Sequence, residues 1–289
     1  MSARVVVLTA PRERGLTDTE IAAAGRHVDG DTPRRLGPAS AEIATERSPD
    51  TARIAAALPA VDVNVVPAEG RRKRILIADM DSTMIPVECI DEIADFAGVK
   101  PQVAAITERA MQGELDFEGA LRARVKLLEG LEEAVLARVH AERVSLNPGA
   151  AALVRTMRAA GAHTLLVSGG FTYFATRVAA EAGFAEARAN VLLARDGRLT
   201  GHVAEPILGR EAKLAALREA AAAMGVGPEA VLAVGDGAND LAMVEAAGLG
   251  VAYHPKPALA ERADAVIRHS GLDALLALQG YAEDEIAGF

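Results

Sequence analysis

Tryptophan is absent from the 289-residue sequence, and three tyrosines and six phenylalanines bring the aromatic share to only 3%. A core must therefore be assembled from alanine, valine, leucine and isoleucine, which suits a parallel sheet covered by helices. Cysteine occurs once, at Cys89. That excludes an intramolecular disulfide; nothing resembles a Cys/His zinc constellation, and a reducing compartment fits. Positive charge is in deficit: 31 Lys and Arg against 40 Asp and Glu give a formal net charge of -9. A polyanion binder needs a clustered excess of Lys and Arg, so nucleic acid is not an expected partner, whereas small anions remain possible. Apolar runs break at charges or glycines well before the ~18 residues of a membrane span, and the opening residues hold too short an apolar stretch for a signal peptide. The expectation is a cytoplasmic protein with no membrane partner. Its length exceeds the usual ~100–200 residues of one domain, so a large domain with an attachment, or two domains, is expected.

Residues 4–9 (RVVVLT) read as a strand, and Thr17 or Asp18 caps a helix running to about Arg26. A second helix is expected from Pro49 to Leu58, followed by the alternating strand VDVNVV. The charged run EGRRKR at 69–74 separates this small αβ unit from the rest, although a solvated turn would look the same. Three apolar strands follow: ILIA at 75–78, HTLLV at 163–167 and VLAV at 231–234. Each ends in a polar or glycine-rich loop, and parallel α/β sheets bind ligands beyond the carboxyl ends of their strands. The interval between the first two strands is too long for one crossover helix, and Leu121, Val125, Leu128, Leu131 and Val135 recur at helical spacing. A helical insertion at about 87–146 is expected there. The segment 187–203 carries an Asp-Gly turn between β-type runs and reads as a hairpin; the Ala-rich stretch 215–223 reads as helix.

Asp79 and Asp81 follow the first strand two residues apart, in DMDST. Phosphoryl transfer to a carboxylate needs one acid as nucleophile and a second to protonate the leaving oxygen and then activate water. Ser168, Gly169 and Gly170 stand between the second strand and a helix, where a hydroxyl and free N–H groups can hold phosphate oxygens. Lys213 in GREAKLAAL offers a cation for a phosphate dianion. Asp236, Asn239 and Asp240 in GDGAND follow the third strand. Asp79, Asp236 and the backbone carbonyl of Asp81 suit Mg²⁺, which takes oxygen ligands and keeps several waters; Asp240 would orient these ligands from behind. Taken singly, each of these loops also reads as an ordinary strand-to-helix turn.

DMDST, SGG, the lysine of REAKLAAL and GDGAND, in that order, resemble the four motifs of the haloacid dehalogenase (HAD) superfamily of phosphohydrolases. VECIDEIADFAGV at 87–99 and ITERAMQGELDFEGALRARVKLLEG at 106–130 resemble the cap of its phosphoserine phosphatases, and the likeness covers about 74–275. The fold implied is α/β: a doubly wound parallel-sheet HAD core over 73–289, with the helical cap inserted, and a small N-terminal α+β domain over 1–72 that is similar to amino-acid-binding ACT domains. No serine sensing is assigned to it. The activity implied is Mg²⁺-dependent hydrolysis of O-phospho-L-serine through an aspartyl phosphate on Asp79, the last step of serine biosynthesis. Asp81 would be the acid and base, and Lys213, Ser168, Gly169 and Asn239 would contact the phosphate. Glu88 would meet the substrate ammonium and Arg124 its carboxylate, with Arg122 a competitor for the second role. Met111 and Phe117 would line the pocket. Met80 stands where the family often has Phe, a change expected to affect packing.

Two other readings compete. One keeps the chemistry on another small phosphomonoester, or transfers the phosphoryl group to an alcohol. The other is a phospho-accepting signalling receiver, which has no use for a helical cap or for an acid two residues beyond its nucleophile. Cys89 lacks the phosphate loop and arginine that thiolate phosphatase chemistry requires. A homo-oligomer is compatible with all of these.

Overall fold

The computed structural model describes residues 3–111 and 114–287, and the side chain of Met111 lies outside what it describes. The chain opens with β1 (Arg4–Thr9), α1 (Asp18–Gly25), β2 (Arg34–Gly37), β3 (Ser40–Thr45), α2 (Thr51–Ala57) and β4 (Asp62–Pro67). Thr17 starts α1 through a reciprocal capping box: its hydroxyl accepts from Glu20 N–H, and the Glu20 carboxylate accepts from Thr17 N–H. Asp50 caps α2 by accepting from Arg53 N–H. The four strands form an antiparallel sheet in the order β2-β3-β1-β4. The strand, two helices and strand expected here are thus part of a βαββαβ unit. The β2–β3 hairpin has no local sequence signature, because its first strand, Arg34-Arg35-Leu36-Gly37, has one buried apolar residue and two exposed arginines. One sheet face is covered by α1 and α2 through Ile21, Ala24 and Ile54; Val5, Val7 and Val66 on the other face join the main core.

The second sheet is built from β5 (Ile75–Ala78), β6 (His163–Phe171), β7 (Glu186–Asn190), β10 (Val231–Gly235), β11 (Leu249–Tyr253) and β12 (Ala265–Ile267). Its order is β12-β11-β10-β5-β6-β7, and every neighbouring pair is parallel. β5 is completely buried, with Leu76 and Ala78 facing one layer and Ile75 and Ile77 the other, as a strand covered on both sides must be. On one face lie α9 (Arg210–Ala223) and α10 (Leu241–Ala246); on the other lie α7 (Ala150–Ala159), α8 (Thr172–Ala182) and α12 (Ala274–Leu278). The short α11 (Pro257–Ala260) links β11 to β12.

Between β5 and β6 stand the four cap helices: α3 (Cys89–Phe96), α4 (Lys100–Met111), α5 (Phe117–Lys126) and α6 (Ala134–Arg143). The hairpin β8 (Leu192–Arg195) and β9 (Arg198–Val203) turns at Asp196 and Gly197, both at positive φ as a two-residue hairpin turn requires. The single hairpin expected over 187–203 is therefore corrected: its first residues belong to β7, at the edge of the main sheet, and only the rest folds back. Gly130 N–H donates to Leu199 and Leu199 N–H to Leu131, so the hairpin is stitched to the chain leaving α5.

The two sheets are joined by side chains that satisfy backbone. Asn64 on β4 donates to the Val266 carbonyl at 3.0 Å and accepts from its N–H at 2.8 Å, continuing the ladder beyond the edge strand β12. Asp62 accepts from the N–H groups of Arg268, His269 and Ser270. Arg71, within the charged run, donates to the Ala277 and Leu278 carbonyls at the end of α12 and to Glu42 at 2.8 Å.

Candidate active site

The main sheet brings the ends of β5, β6 and β10 side by side, and the loops that follow them meet beneath the cap. Asp79 and Asp81 are 3% and 9% exposed. Asp79 Oδ1 accepts from Lys213 Nζ at 2.7 Å and from Met80 N–H at 2.8 Å; Oδ2 keeps a longer contact, 3.4 Å, with Asn239 Nδ2. Met80 itself is buried below the loop. The chain reverses at Ser82, which takes a left-handed φ of 56° and donates its hydroxyl to Glu88 Oε1 at 2.7 Å. Asp81 is held by Cys89 N–H at the start of α3, 2.8 Å from Oδ1, and by the Ser168 hydroxyl, 3.1 Å from Oδ2. Burial first, then the nearby Glu88, pushes the Asp81 carboxyl up to about 6 against these two donors. A carboxyl of that strength can give and take a proton near neutrality.

Ser168 Oγ also accepts from Gly170 N–H at 2.8 Å, closing the β6 loop on itself. A Cβ on Gly170 would lie 2.6 Å from Asp81 Oδ2, which is why the loop needs glycine there. Lys213, on the first turns of α9, is 1% exposed and bridges Asp79 to Asp240, whose Oδ1 is 2.6 Å away. Burial works against its ammonium, but Asp240 and Asp79 outweigh that and raise its pKa. Asp240 Oδ2 accepts from Asp236 N–H and Gly237 N–H, both at 3.2 Å, and so fixes the β10 loop. Burial, reinforced by Asp240, drives the Asp79 carboxyl well above its usual range despite Lys213. Burial likewise raises the Asp236 carboxyl despite Lys256.

The cavity enclosed by these loops and the cap has a volume of about 640 Å³. Of the residues singled out from the sequence, Asp79, Asp81, Ser168 and Gly169 line its floor, Asp236 and Asn239 one side, and Glu88 and Arg124 the cap side. Lys213 and Asp240 lie below the floor. Arg122 does not face the cavity: it pairs with Glu118 at 3.1 Å and with Glu205 on the outside of the cap. Burial lowers the Arg124 pKa, with Asp91, Glu88 and Asp81 acting to restore it. Phe117 lines the cavity and rests on the glycines below it: a Cβ on Gly169 would lie 2.9 Å from the ring, and one on Gly209 3.3 Å. The expectation that Met111 lines the pocket falls on a side chain outside those described. Burial raises the Cys89 thiol pKa and leaves it inert.

Two cations on the cavity wall, Arg210 and Lys256, were not among the sequence candidates. Lys256 Nζ lies 3.0 Å from Asp236 Oδ2. Its signal was a fourth β-type run, LGVAY, followed by the polar loop HPKP, in the same strand-then-loop pattern as the other three. Among the described residues, carboxylate oxygens of Asp79, Asp236 and Asp240 lie within 4.8 Å of one another. All-oxygen donors whose burial disfavours their charge suit a hard divalent cation. Both Asp240 oxygens are already committed to Lys213 and to backbone N–H groups, which leaves Asp79 and Asp236 as the available pair.

Residues 76–245 match the family model of haloacid dehalogenase-like hydrolases. A phosphoserine phosphatase of Polaromonas sp. is 49% identical over 210 residues, covering 71% of this chain and 89% of that protein. Among solved structures, a HAD family hydrolase from Salmonella enterica serovar Typhi superposes with a TM-score of 0.83 at 30% identity, covering 98% of this chain and 99% of the other. A phosphoserine phosphatase solved as an analogue of its phospho-aspartyl intermediate gives a TM-score of 0.66 at 38% identity, over 71% of this chain and 98% of that one. With the family model spanning more than half of the sequence, and with an acidic pair, a serine, a buried lysine and an acidic loop gathered at the ends of parallel strands, this chain belongs to the haloacid dehalogenase-like hydrolases.

Proposed function

We propose that this chain is a Mg²⁺-dependent phosphoserine phosphatase that hydrolyses O-phospho-L-serine to serine and phosphate. The observation that carries the chemistry is the division of labour between two carboxyls at the end of β5. Asp79, which lines the cavity, has one oxygen pinned by Lys213 and Met80 N–H, while the other keeps only the longer contact with Asn239 among the described residues. Asp81 has a pKa near 6 and lines the same cavity. Asp79 Oδ2 attacks phosphorus; the P–O bond to the serine oxygen breaks, and protonated Asp81 gives that oxygen its proton. Asp81, now a carboxylate, takes a proton from a water that attacks the phosphorus of the aspartyl phosphate, which frees phosphate and restores Asp79. Mg²⁺ held by Asp79, Asp236 and the Asp81 carbonyl would offset charge on the phosphoryl oxygens. Ser168, the Gly169 N–H and Asn239 would hold those oxygens in line, and Lys213 keeps Asp79 oriented.

Substrate choice rests on the cap. Glu88 and Arg124 line one cavity and offer opposite charges, matched to the ammonium and carboxylate of a phosphorylated amino acid. The relatives named as phosphoserine phosphatases support the same choice. We also read residues 1–72 as a separate ACT-like module and 73–289 as the phosphatase. Phosphate release from phosphoserine, phosphothreonine and sugar phosphates with Mg²⁺ tests the proposal: many turnovers and a clear preference for phosphoserine are expected. Equal rates across the panel would remove the substrate assignment, and a single stoichiometric, long-lived phosphorylation would instead favour a receiver.

A further inference from the structure

Lys256 belongs to none of the motifs on which the phosphatase reading rests. It follows β11, and its backbone N–H donates to the Asp236 carbonyl at 2.9 Å, which ties its Cα to the β10 loop. Its Nζ reaches Asp236 Oδ2 at 3.0 Å. The two side chains differ in freedom: that of Asp236 is 6% exposed, whereas that of Lys256 is 62% exposed. The carboxylate is therefore fixed, and the ammonium sits on a solvated tether that can leave it. Charge explains the contact. Asp79, Asp236 and Asp240 crowd together, and the buried Lys213 is already shared between Asp79 and Asp240. Among the described residues, Asp236 is left with Lys256 as its ion-pair partner.

We propose that Lys256 is a built-in competitor for the divalent ion: it holds Asp236 in position until the ion binds, and it must release Oδ2 for the ion to do so. The inference rests on reading Asp236 as a metal ligand. A protein group that stabilises only the metal-free arrangement weakens metal binding by the same factor. The ammonium thus keeps the acidic loop assembled without metal, at the expense of affinity for it.

Calorimetric titration of Mg²⁺ into wild type and Lys256→Met without substrate tests this, together with thermal melts in EDTA and in saturating Mg²⁺. Lys256→Met should bind Mg²⁺ roughly two- to fivefold more tightly, the range for an ion pair with one solvated partner. It should melt below wild type in EDTA, with the gap closing in Mg²⁺. Lys256→Arg, which keeps the charge, should stay near wild type. Equal or weaker Mg²⁺ affinity in Lys256→Met overturns the proposal, as does an arginine variant that behaves like the methionine one. So does a loss confined to inorganic phosphate binding at saturating Mg²⁺, which would make Lys256 a phosphate ligand. Asp236→Asn separates the underlying reading: if it binds Mg²⁺ like wild type, the metal assignment of Asp236 itself fails.

Discussion

Lys213 is the residue on which the buried charge balances. Its ammonium is shared by two carboxylates that repel each other, and all three groups are removed from water. Deleting one partner of such a cluster leaves uncompensated charge, so Lys213→Met should lose about 3–5 kcal/mol of stability in EDTA, read by urea denaturation, along with turnover. Asp79→Asn acts in the opposite sense. It leaves Lys213 paired with Asp240 and relieves the repulsion between Asp79 and Asp240, so the variant should fold and melt no lower than wild type in EDTA. Phosphate release should nevertheless fall by roughly 10⁴-fold or more, as expected when a nucleophile is removed. Arg124→Lys keeps charge but loses the planar fork; the KM for phosphoserine should rise about tenfold with a smaller change in kcat. Asp79, Ser168 and Asp236 were legible in the sequence because each ends a run of buried apolar residues, and a polar residue after such a run is conspicuous. Lys256 was not, since LGVAY is diluted by glycine and alanine and its strand signal is weak.

The cap and the main sheet meet at an aromatic ring resting on two glycines. Phe117 starts α5, while Gly169 and Gly209 sit at the end of β6 and before α9. Gly209 has an extended backbone, φ -101° and ψ -166°, that a β-branched residue accepts, so Gly209→Val adds bulk under the ring without straining the chain. The expected result is a fall of about tenfold in kcat/KM with little change in melting temperature, because the cap can no longer settle over the cavity. In a Phe117→Ala background the same substitution should do almost nothing further, and that double-mutant cycle is the measurement. Among the elements, long periodic helices and the three apolar strands could be read from spacing alone. β7 was legible only as the start of a hairpin: Glu-Ala-Arg-Ala-Asn lies at the edge of the main sheet, half-buried, with no apolar run to mark it as one of its strands. The β2–β3 hairpin was hidden for the same reason, since tertiary contact rather than local pattern makes it a strand pair.

Over the whole molecule, the N-terminal sheet is joined to the phosphatase core by charge and by backbone bonds. Glu42 sits between Arg71 and Arg34; burial alone would raise its pKa, but the two guanidinium groups outweigh it and hold it below the usual 4.5. The sign follows: a lowered carboxylate pKa contributes stability that is whole above the ordinary carboxylate range and is lost as pH falls through the lowered value. The difference in urea midpoint between wild type and Glu42→Gln should therefore be largest near pH 7 and shrink below pH 4.5. That such a junction exists could not be read from EGRRKR, where a bridging arginine and a solvated one look alike. The bonds from Asn64 and Asp62 to the β12 edge and the 268–270 loop have a thermal consequence. The backbone groups belong to β12 and the loop after it, and their side-chain partners to β4 of the N-terminal sheet, so melting either region breaks hydrogen bonds of the other. Calorimetry of the metal-free protein should accordingly show one cooperative heat-absorption peak in which both sheets unfold together, and Asn64→Ala with Asp62→Ala should split it into two.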